Sequence, residues 1–185
     1  SASVGVWMVG NNSATDMKVI IPSYTSVIFD DVLAYGNLSS IFLVDCSTTY
    51  CGNGLLFSAQ PDSHLYFRNC VVTGFEGVVL QVSTRRSHSF NGATFEVEGN
   101  MRIENTKMTA AGQTIAFICT KYYSCNDALY HFTSSSNVVV SDSEFGMTFV
   151  VVFAFAVDGS DGKNSAMLMD GSVVLNNTSL YGRSA

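Results

Sequence analysis

Five times along the chain the same short pattern returns, and each copy sets an Asn or Asp at the same point. The copies are VIFDDV from Val27, LYFRNC from Leu65, MRIENT from Met101, VVVSDS from Val138 and VVLNNT from Val173. The aligned residues Asp31, Asn69, Asn105, Asp142 and Asn177 are separated by 38, 36, 37 and 35 positions. A period of that size, carrying alternating apolar residues, means stacked supersecondary units rather than one sheet folded on itself.

The columns around the Asx position define the strand faces. Four residues before it stand Val27, Leu65, Met101, Val138 and Val173; two before it stand Phe29, Phe67, Ile103, Val140 and Leu175. Three after it come Ala34, Val72, Met108, Phe145 and Leu180. All are apolar, as side chains pointing into a core must be, whereas the residue just before the Asx is polar in every copy. Each period adds two more strand-like runs, such as Ile41–Val44 and Ile115–Ile118, then Leu55–Phe57 and Leu129–Phe132. Three short strands per turn, with Gly, Ser and Asn between them and no 3.6-residue period, predict an all-β chain. The expected architecture is a right-handed parallel β-helix of about five coils, with residues 1–185 as a single domain. The period is longer than a bare three-strand coil requires, so it implies protruding loops. At a coil bend an inward or bend-facing Asn can bond its own turn and the next coil, which makes the Asx column architectural. Asp31 and Asp142 accept the same bonds but cannot donate.

Only 13% of the 185 residues are charged, 47% are hydrophobic, and the net charge is −6. Nine basic residues in an acidic chain argue against nucleic acid, whose phosphates call for clustered Lys and Arg. The most apolar run, Met147 to Val157, is too short to span a bilayer as a helix. Cys46 and Cys51, and Cys119 and Cys125, fall in the same loop of two different repeats, which argues for local disulfides in an oxidising compartment. The competing reading is two reduced pairs; the spacing does not suit zinc, and no metal or cofactor is expected. Cys70 is left over and expected to be buried in a column with Val32, Thr106, Ser143 and Thr178. N-x-S/T sequons begin at Asn11, Asn37, Asn176 and Asn177; the first three are candidate glycosylation sites, and Asn177 is expected to be inaccessible in its ladder. Neither end carries an amphipathic cap, so the expected neighbours are further segments or copies of the same β-helix.

The pattern apolar-x-apolar-x-Asn-x-x-apolar, in LYFRNCVVTG, MRIENTKMTA and VVLNNTSLYG, resembles the trypanosomatid dispersed gene family of giant surface proteins, and so does the Cys-bearing loop DCSTTYCGNG. Pectin-lyase-like proteins, bacterial autotransporter passengers and chlamydial surface proteins are written in similar patterns. The resemblance implies an extracellular surface protein with an adhesive or structural role.

Chemistry is harder to find. A pectin-lyase-like polysaccharide lyase or hydrolase needs clustered carboxylates, and the available ones are Asp30, Glu104, Asp142 and Glu144. Asp30, Arg68 and Glu104 share one outward column with alternating sign, and Lys107 and Glu144 share another, which reads as surface ladders. The loop Asp158–Asn164 lacks calcium-site spacing, and His64, His88 and His131 are scattered without a partnered nucleophile. No ordered Thr array supports ice binding. The runs Ile41–Val44, Ile115–Ile118 and Phe149–Ala156 are apolar at consecutive positions, so both faces of that sheet are expected to be largely dry, with Val151 and Phe153 among them. The expected function is a non-enzymatic structural or adhesive module that contacts protein or glycan ligands. The alternatives are a carbohydrate-active enzyme and a self-assembling fibre subunit.

Overall fold

The computed structural model describes residues 4–8, 15–36, 38–74, 76–84, 86–109, 112–147, 150–157 and 162–182. Among them there is no helix, and every strand pairing is parallel. Four five-stranded sheets run along one axis. The first holds β1 (Val4–Met8), β5 (Leu38–Cys46), β9 (Glu76–Thr84), β13 (Gly112–Cys119) and β17 (Val150–Val157). The second holds β2 (Lys18–Ile21), β6 (Leu56–Ala59), β10 (Thr94–Val97), β14 (Leu129–Phe132) and β18 (Ala166–Met169). The third holds β3 (Ser26–Asp30), β7 (His64–Arg68), β11 (Asn100–Glu104), β15 (Asn137–Ser141) and β19 (Ser172–Asn176). The fourth holds β4 (Leu33–Tyr35), β8 (Val71–Thr73), β12 (Lys107–Met108), β16 (Glu144–Met147) and β20 (Ser179–Gly182). The chain is a parallel β-solenoid, each coil visiting the four sheets in turn.

The fourth strand refines the three-strand expectation, and its cause is conformational. Asp31, Asn69, Asn105, Asp142 and Asn177 take φ of 59°, 54°, 46°, 50° and 44°. This left-handed region is costly for most L-residues and least so for Asn and Asp after Gly. One such residue breaks the third-sheet strand and redirects the chain into the short fourth strand. The unequal period has a cause too. Four residues separate the second-sheet from the third-sheet strand in coils 1, 2 and 4, from Ile21 to Ser26, Ala59 to His64 and Phe132 to Asn137. Only two do so in coils 3 and 5, from Val97 to Asn100 and Met169 to Ser172. The corner from fourth to first sheet relies on glycine: Gly74 has φ 150°, and a β-carbon there would collide with the carbonyl oxygen of Gly36.

The core is a column of stacked rings. Phe29 lies on Phe67 at 5.1 Å, Phe57 on Phe95 at 6.0 Å and Phe95 on Tyr130 at 5.2 Å. Burial pushes the Tyr130 hydroxyl far above its ordinary value, and its oxygen sits 3.5 Å from the sulfurs of both Cys119 and Cys125. The seam between first and second sheets, lined by residues such as Phe42, Val44, Leu80 and Phe132, has only apolar walls. It lacks the polar groups that orient a bound ligand. The consecutive apolar residues of the first sheet are explained by a break in pairing. Ser40 pairs with Val78 and Phe42 with Leu80, while Ile41 and Val79 stand between as fully buried core residues. Outward-facing Gln81, Ser83 and Ala116 are also buried, in line with a sheet dry on both faces. Part of that burial is polar and satisfied: the Ser40 hydroxyl donates to Gln81 Oε1 at 2.6 Å and the Ser83 hydroxyl to Asp45 Oδ1 at 2.7 Å. The side chains of Val151 and Phe153 lie outside the described residues.

Both expected disulfides are present, Cys46–Cys51 and Cys119–Cys125, with Cα separations of 5.8 and 6.2 Å. They indicate an oxidising folding environment. All four cysteines are buried, and the loops they brace do not protrude singly. The loops stack on one another through backbone bonds, Tyr50 N–H to Ser87 O, His88 N–H to Tyr122 O and Gly92 N–H to Asn126 O. In the coil between, Thr84 pairs with both Cys46 and Cys119, and the Ser89 hydroxyl accepts the Cys51 N–H. Thr84 and Ser89 thus hold the place of a third bridge. No helix of the described residues is long and apolar enough to cross a membrane.

Candidate functional surface

Two ridges run the length of the solenoid. The first is the Asx bend. Asn69 Nδ2 donates to Asp30 Oδ1 at 2.9 Å, Asn105 Nδ2 to Asn69 Oδ1 at 2.8 Å and Asn177 Nδ2 to Asp142 Oδ1 at 2.7 Å. The ladder joins coils 1 to 2, 2 to 3 and 4 to 5, with its first rung on Asp30 in place of the expected Asp31, and its side chains face solvent instead of the interior. Asn177 is exposed like Asn176, so its expected inaccessibility does not hold; its amide is engaged with Asp142. The exposure follows from the left-handed backbone, which turns the Asx side chain outward while the next residue turns in. That next column locks the bend. Cys70 Sγ donates to Arg68 O at 3.1 Å, Thr106 Oγ1 to Glu104 O at 3.1 Å, Ser143 Oγ to Ser141 O at 2.7 Å and Thr178 Oγ1 to Asn176 O at 2.9 Å. Cys70 is therefore a buried free thiol in a hydroxyl's place, and burial pushes its pKa up. Cys70→Thr is expected to leave stability within about 0.5 kcal/mol, while Cys70→Val, which removes the side-chain donor but leaves Arg68 O its bond from the Asp31 N–H, costs about 1 kcal/mol. Urea unfolding of the two variants checks this.

The carboxylates proposed for catalysis are spread over coils 1, 3 and 4, and each has a partner. Asp30 meets Arg68 at 2.9 Å, Glu104 meets Arg102 at 3.4 Å, and Asp142 accepts from Asn177. Glu144 meets Lys107 at 3.0 Å and also accepts from the Tyr181 hydroxyl. The hydrogen bonds from Arg68 and Asn69 hold Asp30 below the usual carboxylate range, and those from Tyr181 and Lys107 do the same for Glu144. A general acid for glycosidic cleavage needs the opposite displacement. The histidines separate. His131 Nε2 lies 2.9 Å from Asp170 Oδ2 and Nδ1 3.9 Å from Glu96 Oε1, a row crossing coils 3 to 5 without a nucleophile. His64 lies against Tyr66, whose ring also has Arg102 over it at 6.0 Å. Among the described residues no three His, Cys, Asp or Glu side chains are arranged to hold a metal. Of the Asp158–Asn164 loop, residues 158–161 lie outside the described residues, as do Asn11 and Asn37.

The second ridge was not anticipated. It follows the disulfide loops. Asn53 Oδ1 accepts the Asn91 N–H, Asn91 Oδ1 the Asn126 N–H and Asn126 Oδ1 the Lys163 N–H, at 2.9, 2.9 and 2.8 Å. Beside this amide ladder runs an aromatic one, with Tyr50 on His88 at 4.7 Å and His88 on Tyr123 at 5.2 Å. All three take left-handed φ, at 60°, 58° and 59°, a conformation that costs about 1 kcal/mol or more per non-glycine residue. Tyr50 is 44% exposed, Tyr123 50% and neighbouring Tyr122 69%. Exposed Arg86 completes the rim, its Nε donating to Ser47 O at 3.0 Å. Residues 50, 88 and 123 keep the spacing of the second-sheet strands, so extending that register backwards through the loops would have revealed them.

No protein-family model matches the chain, and neither a curated protein nor a solved structure does.

Proposed function

We propose that the chain is a non-enzymatic structural and adhesive module of an extracellular surface protein, with the disulfide-braced ridge as its binding edge. The observation that carries this reading is the ladder Tyr50–His88–Tyr123, three rings held in an unfavourable backbone conformation, with both tyrosines exposed and half-buried His88 stacked between them. Tyr offers a rigid apolar body with a polar tip, which suits protein and glycan surfaces alike. Stacking fixes the rings before a ligand arrives, so little side-chain entropy is lost on contact. The carboxylates that a lyase or hydrolase would use are meanwhile committed to cations and amides. The resemblance to trypanosomatid surface proteins, the disulfides and exposed Asn176 as a glycan acceptor support an extracellular setting.

The test is incubation with a panel of neutral and anionic glycans, scoring both retention and new chain ends. Retention by the parent, lost in Tyr50→Ala/Tyr123→Ala at an unchanged β-sheet circular dichroism signal, is the expected result. New chain ends would contradict the reading and direct mutagenesis to Asp30, Glu104 and Glu144.

A further inference from the structure

Charge is distributed unevenly over the described surface. On the third and fourth sheets each described cation has its carboxylate: Arg68 has Asp30, Arg102 has Glu104 and Lys107 has Glu144. The disulfide-braced ridge departs from this. Arg86 and Lys121 are both exposed, and among the described residues neither side chain forms an ion pair. Arg86 gives its Nε to the Ser47 carbonyl, which leaves both Nη groups without an acceptor among the described residues. The two cations are also neighbours. Thr84 pairs with Cys119 two residues before them, and the His88 N–H bonds Tyr122 O just after them. They therefore occupy one column of adjacent coils, with backbones about 4.8 Å apart along the axis. Like charges on adjacent rungs repel and cost stability. The nearest carboxylates along the chain, Asp45 and Asp127, already accept from the Ser83 hydroxyl and the Asn164 amide. Beside the pair stand the stacked rings of His88 and Tyr123, with Tyr122 69% exposed.

We infer that the ridge takes an anionic glycan, a chain with a sulfate or carboxylate on consecutive sugar residues, laid along the solenoid axis. This rests on the ridge being the binding edge, and adds the charge that its ligand carries. The Arg86 guanidinium offers a two-pronged donor that matches sulfate or carboxylate oxygens, and the Lys121 ammonium adds a point charge. Tyr122 and Tyr123 bring apolar ring surface for sugar carbons and hydroxyls for sugar oxygens. The coil spacing selects a glycan over an acidic peptide. It is about the length of one pyranose residue, so consecutive sugars reach consecutive coils. An extended peptide presents same-side residues about 6.6 Å apart, so an anion seated on Arg86 leaves the next one beyond Lys121. The rest of the protein favours this placement, since with a net charge of −6 a polyanion meets repulsion elsewhere.

Affinity electrophoresis of the protein through dextran, dextran sulfate, polymannuronate and polyglutamate tests it. Dextran sulfate and polymannuronate separate sulfate from carboxylate, and dextran is the uncharged control. The parent is expected to bind at least one of the two anionic glycans at least about tenfold more tightly than dextran, as charge-assisted hydrogen bonds allow. Arg86→Gln/Lys121→Gln is expected to remove that preference, with circular dichroism confirming the fold. Lys121→Gln alone, at a side chain that makes no bond among the described residues, is expected to lower it in the same direction. Lys18→Gln, which removes an exposed cation of the second sheet, is expected to bind like the parent. Salt at 1 M, where the Debye length is about 3 Å, is expected to release the anionic glycans. Dextran held as tightly as dextran sulfate, with loss only in Tyr50→Ala/Tyr123→Ala, overturns this inference and leaves the ridge reading standing. Retention of no glycan by the parent overturns both. Charge variants that bind like the parent overturn the assignment to Arg86 and Lys121. Polyglutamate held as tightly as the anionic glycans overturns the choice of a glycan and points to an acidic protein.

Discussion

Phe67→Ala is expected to destabilise the protein by about 3–5 kcal/mol, the range for truncating a buried aromatic ring. Phe67 is fully buried, lies flat on Phe29 at 5.1 Å with only 6° between ring planes, and pairs with Ile103 in the next coil. Its removal leaves a hole that only coils 1 and 3 border. In a solenoid each coil touches only its neighbours, so a defect in coil 2 weakens two interfaces and cannot be shared out further along the axis. Urea unfolding measures the loss. Leu175→Ala is the control: the same kind of inward position on coil 5 is 46% exposed, and the expected loss is about 1 kcal/mol. Equal losses at the two sites would mean that the aromatic column is not the packed centre of the fold.

Removing the Cys119–Cys125 bridge as Cys119→Ala/Cys125→Ala is expected to cost about 2–4 kcal/mol, although the closed loop is short. Loop-closure entropy supplies about 2 kcal/mol of this for so few residues. The rest comes from packing, because both sulfurs are buried and touch the hydroxyl of buried Tyr130. The ridge loops begin at this bridge, so the aromatic stack at Tyr123 is expected to loosen with it. A loss confined to entropy would appear as about 2 kcal/mol with unchanged near-ultraviolet dichroism. No loss at all would show the bridge to be incidental to the fold.

Much of this architecture is legible in the sequence because a solenoid repeats its constraints. Val27, Leu65, Met101, Val138 and Val173 recur on one face because each coil must fill the same cross-section. The Asx column is legible for the same reason. Its orientation is not, since a left-handed φ turns the side chain out and leaves no mark in hydrophobic periodicity. Cys70 looks like a leftover thiol until its sulfur is seen repeating the carbonyl bond of Thr106 and Ser143. The aromatic ridge stays hidden because His88 interrupts the pair Tyr50 and Tyr123, and the loops carrying them have no strand pattern to align. The partners of His131 are hidden in the sequence for a related cause: Glu96 is its neighbour only through coil register, and Asp170 only across the bend of coil 5.

Each coil turns at a left-handed Asx residue, and Asx amides tie coils 1 to 2, 2 to 3 and 4 to 5. Asn105 is the best place to test that, with φ of 46° and an amide bonded to Asn69. Urea unfolding of Asn105→Gly and Asn105→Ala separates the two contributions. Glycine adopts the angle freely and loses only the amide bond, an expected cost of about 0.5–1 kcal/mol. Alanine loses the bond and adds the strain, an expected cost of about 2–3 kcal/mol. Stability falling in the order Asn, Gly, Ala is the predicted result; alanine equal to glycine or above it would contradict the account.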